Sequence, residues 1–366
     1  METAVGLITT NYSVKHPGAL TKARPAAAVP FMGRYRLVDF PLSNLVNSGI
    51  RTVGIIMPFN YRSVVDHLYT GKDWGLDRKQ GGIFLMPGSA FGTSRKGPRF
   101  LLRDMLSNKV FLERDKATNV VVTAANIIYN YDYKDLIKPH VESGADITLL
   151  TKTFGCEAGD ISSVYTEDGR VRGFTYGTRF GDEAFLDCFV VRREKLLELL
   201  DRYANVDYLD LFEAMEGDLG QIDIRAHKVE MYTGSVFDAR MYYKRSQEML
   251  EAKVVDELFP AERPIMTKAH DNPPTKYEAG SRATNSIVSA GCHIMGSVAD
   301  SILSRNVVVE PGASVRGCVI MTGCTICRGA RVENAIIDRD NVISAGTELR
   351  GTPDAVLVKA KGGLGE

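Results

Sequence analysis

From Val288 onward, aliphatic residues recur at six-residue intervals, and this period constrains the fold more than any other feature of the chain. The series runs Val288 and Ile294; Leu303, Val309 and Val315; Ile320, Ile326 and Val332; Ile336 and Val342. Small or polar residues lie between, as in Ser289-Ala290-Gly291-Cys292 and Glu310-Pro311-Gly312-Ala313-Ser314. A hexapeptide of this kind forms one flat side of a parallel β-helix. Its aliphatic side chain points inward onto the equivalent residue one coil away, and the small residues turn the corner. A sandwich requires period-two alternation, which is absent. At three sides per coil the stretch predicts roughly three to four coils. The five-residue step from Val315 to Ile320 reads as a corner adjustment. A short coil ends in open sheet edges, which makes it a ready surface for a second subunit.

The earlier part of the chain has a different texture. Ala4–Thr9, Thr52–Met57, Val120–Ala124 and Ala145–Thr151 are short apolar, β-branched runs suited to strands covered on both faces. Amphipathic stretches at Phe40–Ser48, Tyr61–Leu68 and Tyr133–Glu142 separate them, an order that indicates a parallel sheet covered by helices. Arg193–Tyr203, with Leu197, Leu200 and Tyr203 on one stripe, and Asp238–Ala252 also read as helical. Pro260, Pro264, Pro273 and Pro274 interrupt both helix and sheet. The predicted organisation is therefore an α/β domain over 1–252, a linker over 253–283 and the coil with its tail over 284–366.

Charge and cysteine content exclude several classes. The chain carries 45 Lys+Arg against 45 Asp+Glu, so neither a generally basic nucleic-acid binder nor an acidic disordered chain is indicated. A second basic stretch, Arg95, Lys96, Arg99 and Arg103, is interleaved with aromatics only at Phe91 and Phe100, and reads as a loop over a cleft or a subunit contact. The apolar run Ala4–Ile8 is too short for a signal-peptide core or a membrane span. The six cysteines are scattered rather than arranged as a framework, which, with no export signal, points to reduced thiols in a cytoplasm. Cys324 and Cys327 have no second ligand pair nearby and read as small interior residues rather than a zinc site.

One segment permits recognition. Residues 24–50 read Arg-Pro-Ala-Ala-Ala-Val-Pro-Phe-Met-Gly-Arg-Tyr-Arg-Leu-Val-Asp-Phe-Pro-Leu-Ser-Asn-Leu-Val-Asn-Ser-Gly-Ile. With Val120–Val122, the Ile128-Tyr129-x-x-Asp132-Tyr133 motif and the hexapeptides, this strongly resembles the ADP-glucose pyrophosphorylase (glucose-1-phosphate adenylyltransferase) family. The resemblance implies a Rossmann-like, GT-A-like nucleotidyltransferase domain with a mostly parallel sheet, followed by a left-handed parallel β-helix. It also implies an activity: ADP-glucose and pyrophosphate made from ATP and glucose 1-phosphate for glycogen synthesis. The family uses a Gly-rich loop, basic residues and Mg²⁺ held by two aspartates.

The residues that carry this chemistry are missing. Nucleotidyl transfer needs close backbone amides, cations and metal to stabilise charge on phosphate oxygens. Where the family has Gly-Gly-x-Gly-Thr-Arg-Leu, this chain has Asn11-Tyr12-Ser13-Val14-Lys15-His16-Pro17, with no glycine between Gly6 and Gly18. His16 falls at the catalytic arginine, and Ala26 replaces the lysine of Lys-Pro-Ala-Val. Asn126 replaces the first metal aspartate, and Tyr232, just before Gly234-Ser235, the second. Gly177 replaces the lysine of Phe-Val-Glu-Lys-Pro, and Gly97-Pro98-Arg99-Phe100 replaces Gly-Thr-Ala-Asp. The pattern resembles the non-catalytic, GlgD-type subunit that some bacteria pair with a catalytic one. It implies no cofactor in this subunit, Mg²⁺ in the catalytic partner, and a heterotetramer.

Arg24 and Arg36 match family positions that bind phosphorylated effectors, and Arg305 and Arg339 are looser matches on the coil. Forked, permanently charged donors suit a phosphate. Two other functions compete with the silent subunit. One is an active sugar-nucleotidyltransferase with ligands rebuilt around Asp39 or Asp132; the other is an acyltransferase using His293 or a purely structural β-helix protein. Asp39 otherwise reads as fixing the start of the following helix, and Trp74 as core or interface.

Overall fold

The computed structural model describes residues 3–11, 18–58, 60–89, 99–155, 158–206 and 209–362. His16, most of the loop that contains it, Phe91, Arg95, Lys96 and Cys156 lie outside the described residues. The chain forms two compact units, the first from Met1–Lys15, Val38–Thr233 and Ala261–Met266, the second from His16–Leu37, Gly234–Pro260 and Thr267–Glu366.

The first unit is built on a nine-stranded sheet. Its strands are β1 (Ala4–Thr9), β2 (Thr52–Met57), β3 (Gly82–Pro87), β4 (Asn119–Ala124), β5 (Ile147–Thr153), β6 (Ala158–Glu167), β7 (Arg170–Thr178), β8 (Glu183–Arg192) and β9 (Ile224–Lys228). They lie in the order β3-β2-β1-β4-β8-β5-β9-β7-β6. The β3-β2-β1-β4 half is parallel throughout, whereas β8 runs antiparallel to both β4 and β5. Val120, Val121 and Val122 are all fully buried, as successive residues are only when both faces are covered. One face packs Val5, Leu7, Val120, Val122, Ile147 and Phe189 against Leu196, Leu199 and Leu200. The last three belong to Arg193–Arg202, where Leu200 and the following Tyr203 are buried as expected, Leu197 packs partly against the cluster, and Leu196 and Leu199 join the buried face.

Helices Asp39–Asn47, Arg62–Leu68 and Lys134–Ser143 follow β1, β2 and β4 in sequence, close to their predicted positions. Asp39 is the first residue of the first of these, one place inside its N-cap Val38. It is fully buried and its Oδ1 lies 2.6 Å from Nε2 of His67, which in turn packs edge-on to Trp74. The β6–β7 hairpin and the antiparallel β8 were not legible as period-two strands.

The second unit is the parallel coil: three five-stranded sheets in which each strand pairs with its equivalent one coil on. Five coils exceed the expected three to four because coiling begins earlier than residue 284. Lys276–Tyr277 already pairs with His293–Ile294, and the Pro273 carbonyl accepts from the Gly291 amide at 2.7 Å. Later coils close in seventeen residues, as the Leu303, Ile320, Ile337 and Val309, Ile326, Ile343 registers show. A five-residue side thus recurs once per coil. The strict six-residue count therefore slips at the end, where Ile337 and Ile343 point inward and Val342 is 65% exposed. Three cysteines fill tight interior positions, and Cys324, its thiol pushed up to about 12 by burial, donates to the Asp338 carbonyl. His293 binds Glu278 at 2.8 Å on the coil surface.

The linker and domain boundaries also need correction. Ala252–Leu258 is a helix, and 261–266 belongs to the first unit, where Asn47 and Asn130 donate to the Pro264 and Arg263 carbonyls. Two stretches expected in the α/β domain, His16–Leu37 and Gly234–Ala252, belong with the coil. Tyr242 donates to the Pro30 carbonyl and Tyr243 to that of Gly317. Gly33, at φ +73°, approaches so closely that a β-carbon there would sit 2.4 Å from Ser289 Oγ.

The tightest tie is ionic. Arg24 Nη2 lies 2.6 and 2.7 Å from the two carboxylate oxygens of Asp338, and both residues are buried. Breaking such a pair leaves an uncompensated charge, so Arg24→Met should cost about 3–5 kcal/mol. Urea unfolding should show this loss, with much of it recovered in Arg24→Met/Asp338→Leu.

Candidate functional site

In an open, largely parallel sheet, ligands bind outside the carboxyl ends of the strands. Here the ends of neighbouring β1 and β4, in register at Thr9 and Ala124, are the place to look. Thr10 donates to the Ile56 carbonyl at 2.7 Å, closing the backbone beyond β1. The next residue, Asn11, is buried and gives its amide to Asp104 Oδ2 at 2.6 Å, while Asp104 Oδ1 takes the Ser89 amide at 2.7 Å. Desolvation raises the Asp104 pKa above the usual carboxylate value, against the lowering pull of the Ser89 and Asn11 hydrogen bonds.

At the end of β4, Asn126 is fully buried and donates its Nδ2 to Asp187 Oδ2 at 2.8 Å. Asp187 comes from β8, where the pairing with β5 breaks register between Phe185 and Phe189. Its φ of +49° is a left-handed conformation that a side chain adopts only under constraint. The same Oδ2 faces Arg99 Nε at 3.3 Å, and both side chains are almost wholly buried. Desolvation pushes the Asp187 carboxyl up; Arg99 and Asn126 pull it back.

Arg99 is fixed from its backbone. Asp210 Oδ2 accepts the amides of Arg99 and Phe100, both at 2.8 Å, and its Oδ1 accepts the Phe212 amide as the cap of helix Leu211–Ala214. Phe100 is locked among Phe185, Phe189 and Phe212, with ring centroids 5.1–5.9 Å away. Neither Arg99–Asp187 nor Asp210 stood out in the sequence. The signal available was Arg99 within the Gly97–Phe100 replacement, which reads as a surface or loop charge until a carboxylate partner from β8 is known.

These residues do not fit a divalent cation. A hard cation wants open carboxylate oxygens. Asn126 presents an amide, aimed at Asp187, and Asp187 is already shared with Arg99. Asp210 is occupied by three amides. The alternative ligands fare no better: Asp39 is paired with His67, and Asp132 accepts the Lys134 amide. Among the described residues, no group of three or more His, Cys, Asp or Glu is arranged to hold a metal.

Gly177 lies at a β-bulge in β7 with φ +93°, where its carbonyl accepts from Ser163 Oγ; a side chain there would be strained. Tyr232 is half-buried beyond β9, and Ala26 is buried in the short turn Ala26–Ala28 of the second unit. Of the four arginines expected to meet an effector, Arg24 is not an open ligand, because Asp338 holds its guanidinium. The Arg339 amide also donates to Asp338, while Arg305 Nη2 reaches the Arg34 carbonyl at 3.4 Å. Arg36 is half-buried in the two-residue strand Tyr35–Arg36. Among the described residues, no helix is long and apolar enough to cross a membrane.

Comparison with known proteins agrees with this architecture. Residues 18–158 match the nucleotidyl transferase family, and residues 273–354 match the GlmU-like C-terminal hexapeptide family. The class is thus a nucleotidyl transferase domain joined to a hexapeptide coil. The chain is 31% identical to the glycogen biosynthesis protein GlgD of Bacillus subtilis, covering 94% of this chain and 91% of that one. It is 31% identical to GlgD of Geobacillus stearothermophilus over 85% of this chain and 82% of that one. It is 30% identical to the glucose-1-phosphate adenylyltransferase of Corynebacterium jeikeium over 90% and 88%. The chain belongs to this glycogen-related nucleotidyltransferase family.

Because the native Asp104 carboxyl holds its proton more tightly than the unfolded one, its contribution to stability is complete below the unfolded pKa. That contribution is lost as pH rises through the native value. Carboxyl ¹³C titration should place the Asp104 midpoint above 3.8, and Asn11→Ala should move it higher still.

Proposed function

We propose that the chain is a non-catalytic regulatory subunit of ADP-glucose pyrophosphorylase in glycogen biosynthesis. It associates with a catalytic subunit that makes ADP-glucose and pyrophosphate from ATP and glucose 1-phosphate, and modulates it, most simply in a heterotetramer. The observation that carries this reading is the end of β4: Asn126 stands where metal chemistry needs a carboxylate, and its amide is committed to Asp187. Relatives of both kinds, GlgD and glucose-1-phosphate adenylyltransferase, match over most of the chain, which supports a frame kept in common. In this reading Mg²⁺ belongs to the catalytic partner, the coil is left-handed as the family resemblance implies, and the assembly is cytoplasmic.

A phosphorylated effector remains part of the proposal, with Arg36, Arg305 and Arg339 as its contacts and Arg24 left to Asp338. Arg305→Ala should weaken the effector response of the assembled complex several-fold, and an unchanged response removes Arg305 from that role.

The purified chain, given ATP, glucose 1-phosphate and Mg²⁺, should form no ADP-glucose above background. Co-expressed with a catalytic subunit, it should co-purify and change that subunit's substrate affinity or maximal rate. Turnover by the chain alone would favour an active enzyme with a divergent site; absence of both co-purification and kinetic change would overturn the partner reading.

A further inference from the structure

The Asp187–Arg99 pair goes further than a missing ligand. We propose that Arg99 is the resident cation of the β4 strand end, a guanidinium that neutralises the Asp187 carboxylate beside Asn126 and keeps a divalent ion from settling there. This deepens the non-catalytic reading and rests on it for its functional meaning, but its chemistry is tested separately.

Three independent features of the structure converge on Arg99. Asp187 leaves ordinary strand geometry, at φ +49° within the register break of β8, and its carboxylate meets both Asn126 and Arg99. Asp210 has no other evident task than holding the backbone there: its two oxygens receive the amides of Arg99, Phe100 and Phe212. The Phe100 ring is clamped by three other phenylalanines, so the residue next to Arg99 has little freedom to withdraw. An exposed arginine could swing aside for a cation. This one is 5% exposed and anchored from its own amide to its neighbour's ring.

A guanidinium is a suitable permanent occupant. It is always charged and weakly hydrated, and it neutralises a carboxylate without the coordination shell a metal requires. Among the described residues, the charged and titratable groups that act on Asp187 include Arg99, Asp210 and the neighbouring Cys188, whose thiol burial pushes up to about 12. Arg99 supplies the positive charge among them. With Arg99 in place, restoring a carboxylate at position 126 gives an acid whose neighbour is already neutralised. With Arg99 removed, the same substitution leaves two carboxylates facing each other, which is a cation site.

The test uses Mn²⁺ alone as the probe, read by electron paramagnetic resonance on the full chain. Wild type and Asn126→Asp should bind Mn²⁺ only weakly. Arg99→Met/Asn126→Asp should bind at least about tenfold more tightly than Asn126→Asp, because two open carboxylates suit a hard cation. Equal affinity in the single and double variants overturns the proposal, as does a folded double variant without tightened binding. Should Arg99→Met fail to fold, Arg99→Gln/Asn126→Asp, which keeps a polar side chain at that position, gives the same comparison. A second measurement needs no metal. Arg99 lowers the Asp187 pKa, so its removal lets the carboxyl take up a proton, and the destabilisation by Arg99→Gln should be smaller at pH 5 than at pH 7.5. A loss independent of pH also overturns it. Neither readout involves turnover, so ADP-glucose formation by the wild-type chain would defeat the functional reading without deciding the role of Arg99.

Discussion

A carboxylate removed from water must be matched by cations or donors, and each unit of this chain is arranged around one that is. In the first, Asp187 sits at a break in its strand and draws Asn126 and Arg99 to itself. In the second, Asp338 holds Arg24 and the Arg339 amide, which binds the leading segment to the coil. The two pairs have different consequences. The Asp338 pair decides which stretches of sequence belong together, so that the units interleave along the chain instead of following one another. The Asp187 pair ties together the buried polar side chains at the end of β4.

The sequence made the coil legible because its period reports an inward-facing position once per side. It failed where that period is not constant: the seventeen-residue coil carries a five-residue side each time, and a six-residue count reaches Val342 instead of Ile343. The parallel half of the sheet was equally plain, since strands buried on both faces are continuous apolar runs. The β6–β7 hairpin was hidden for the opposite reason: exposed residues such as Tyr165 and Tyr176 leave it no continuous run. β8 is buried from Ala184 to Val191, but Asp187 interrupts its apolar run and it is antiparallel among strands expected to be parallel.

The candidate site was half legible. Asn126 could be identified because its departure from a family motif is local. Its partner could not, because Asp187 is 61 residues from Asn126 and 88 from Arg99, and neither Asp187 nor Asp210 belongs to a motif. Long-range ion pairs leave no periodic trace. For the same reason Arg24 reads as a phosphate ligand until Asp338, more than three hundred residues away, is seen to hold it.

The local chemistry also explains why this strand end is compatible with a stable fold. A site built to grip a metal keeps carboxylates close together with little else to neutralise them, an arrangement that costs stability until the ion binds. Replacing one carboxylate by an amide removes one charge. A guanidinium against Asp187 offsets the buried charge of that carboxylate, and the Asn126 amide donates to the same oxygen. Each change alone would leave a defect. A guanidinium with two carboxylates would leave one acid short of a partner, and an amide beside an unpaired Asp187 would leave a buried charge. Together, Asn126 and Arg99 meet the Asp187 carboxylate from two sides, at a residue whose φ of +49° lies in the left-handed region.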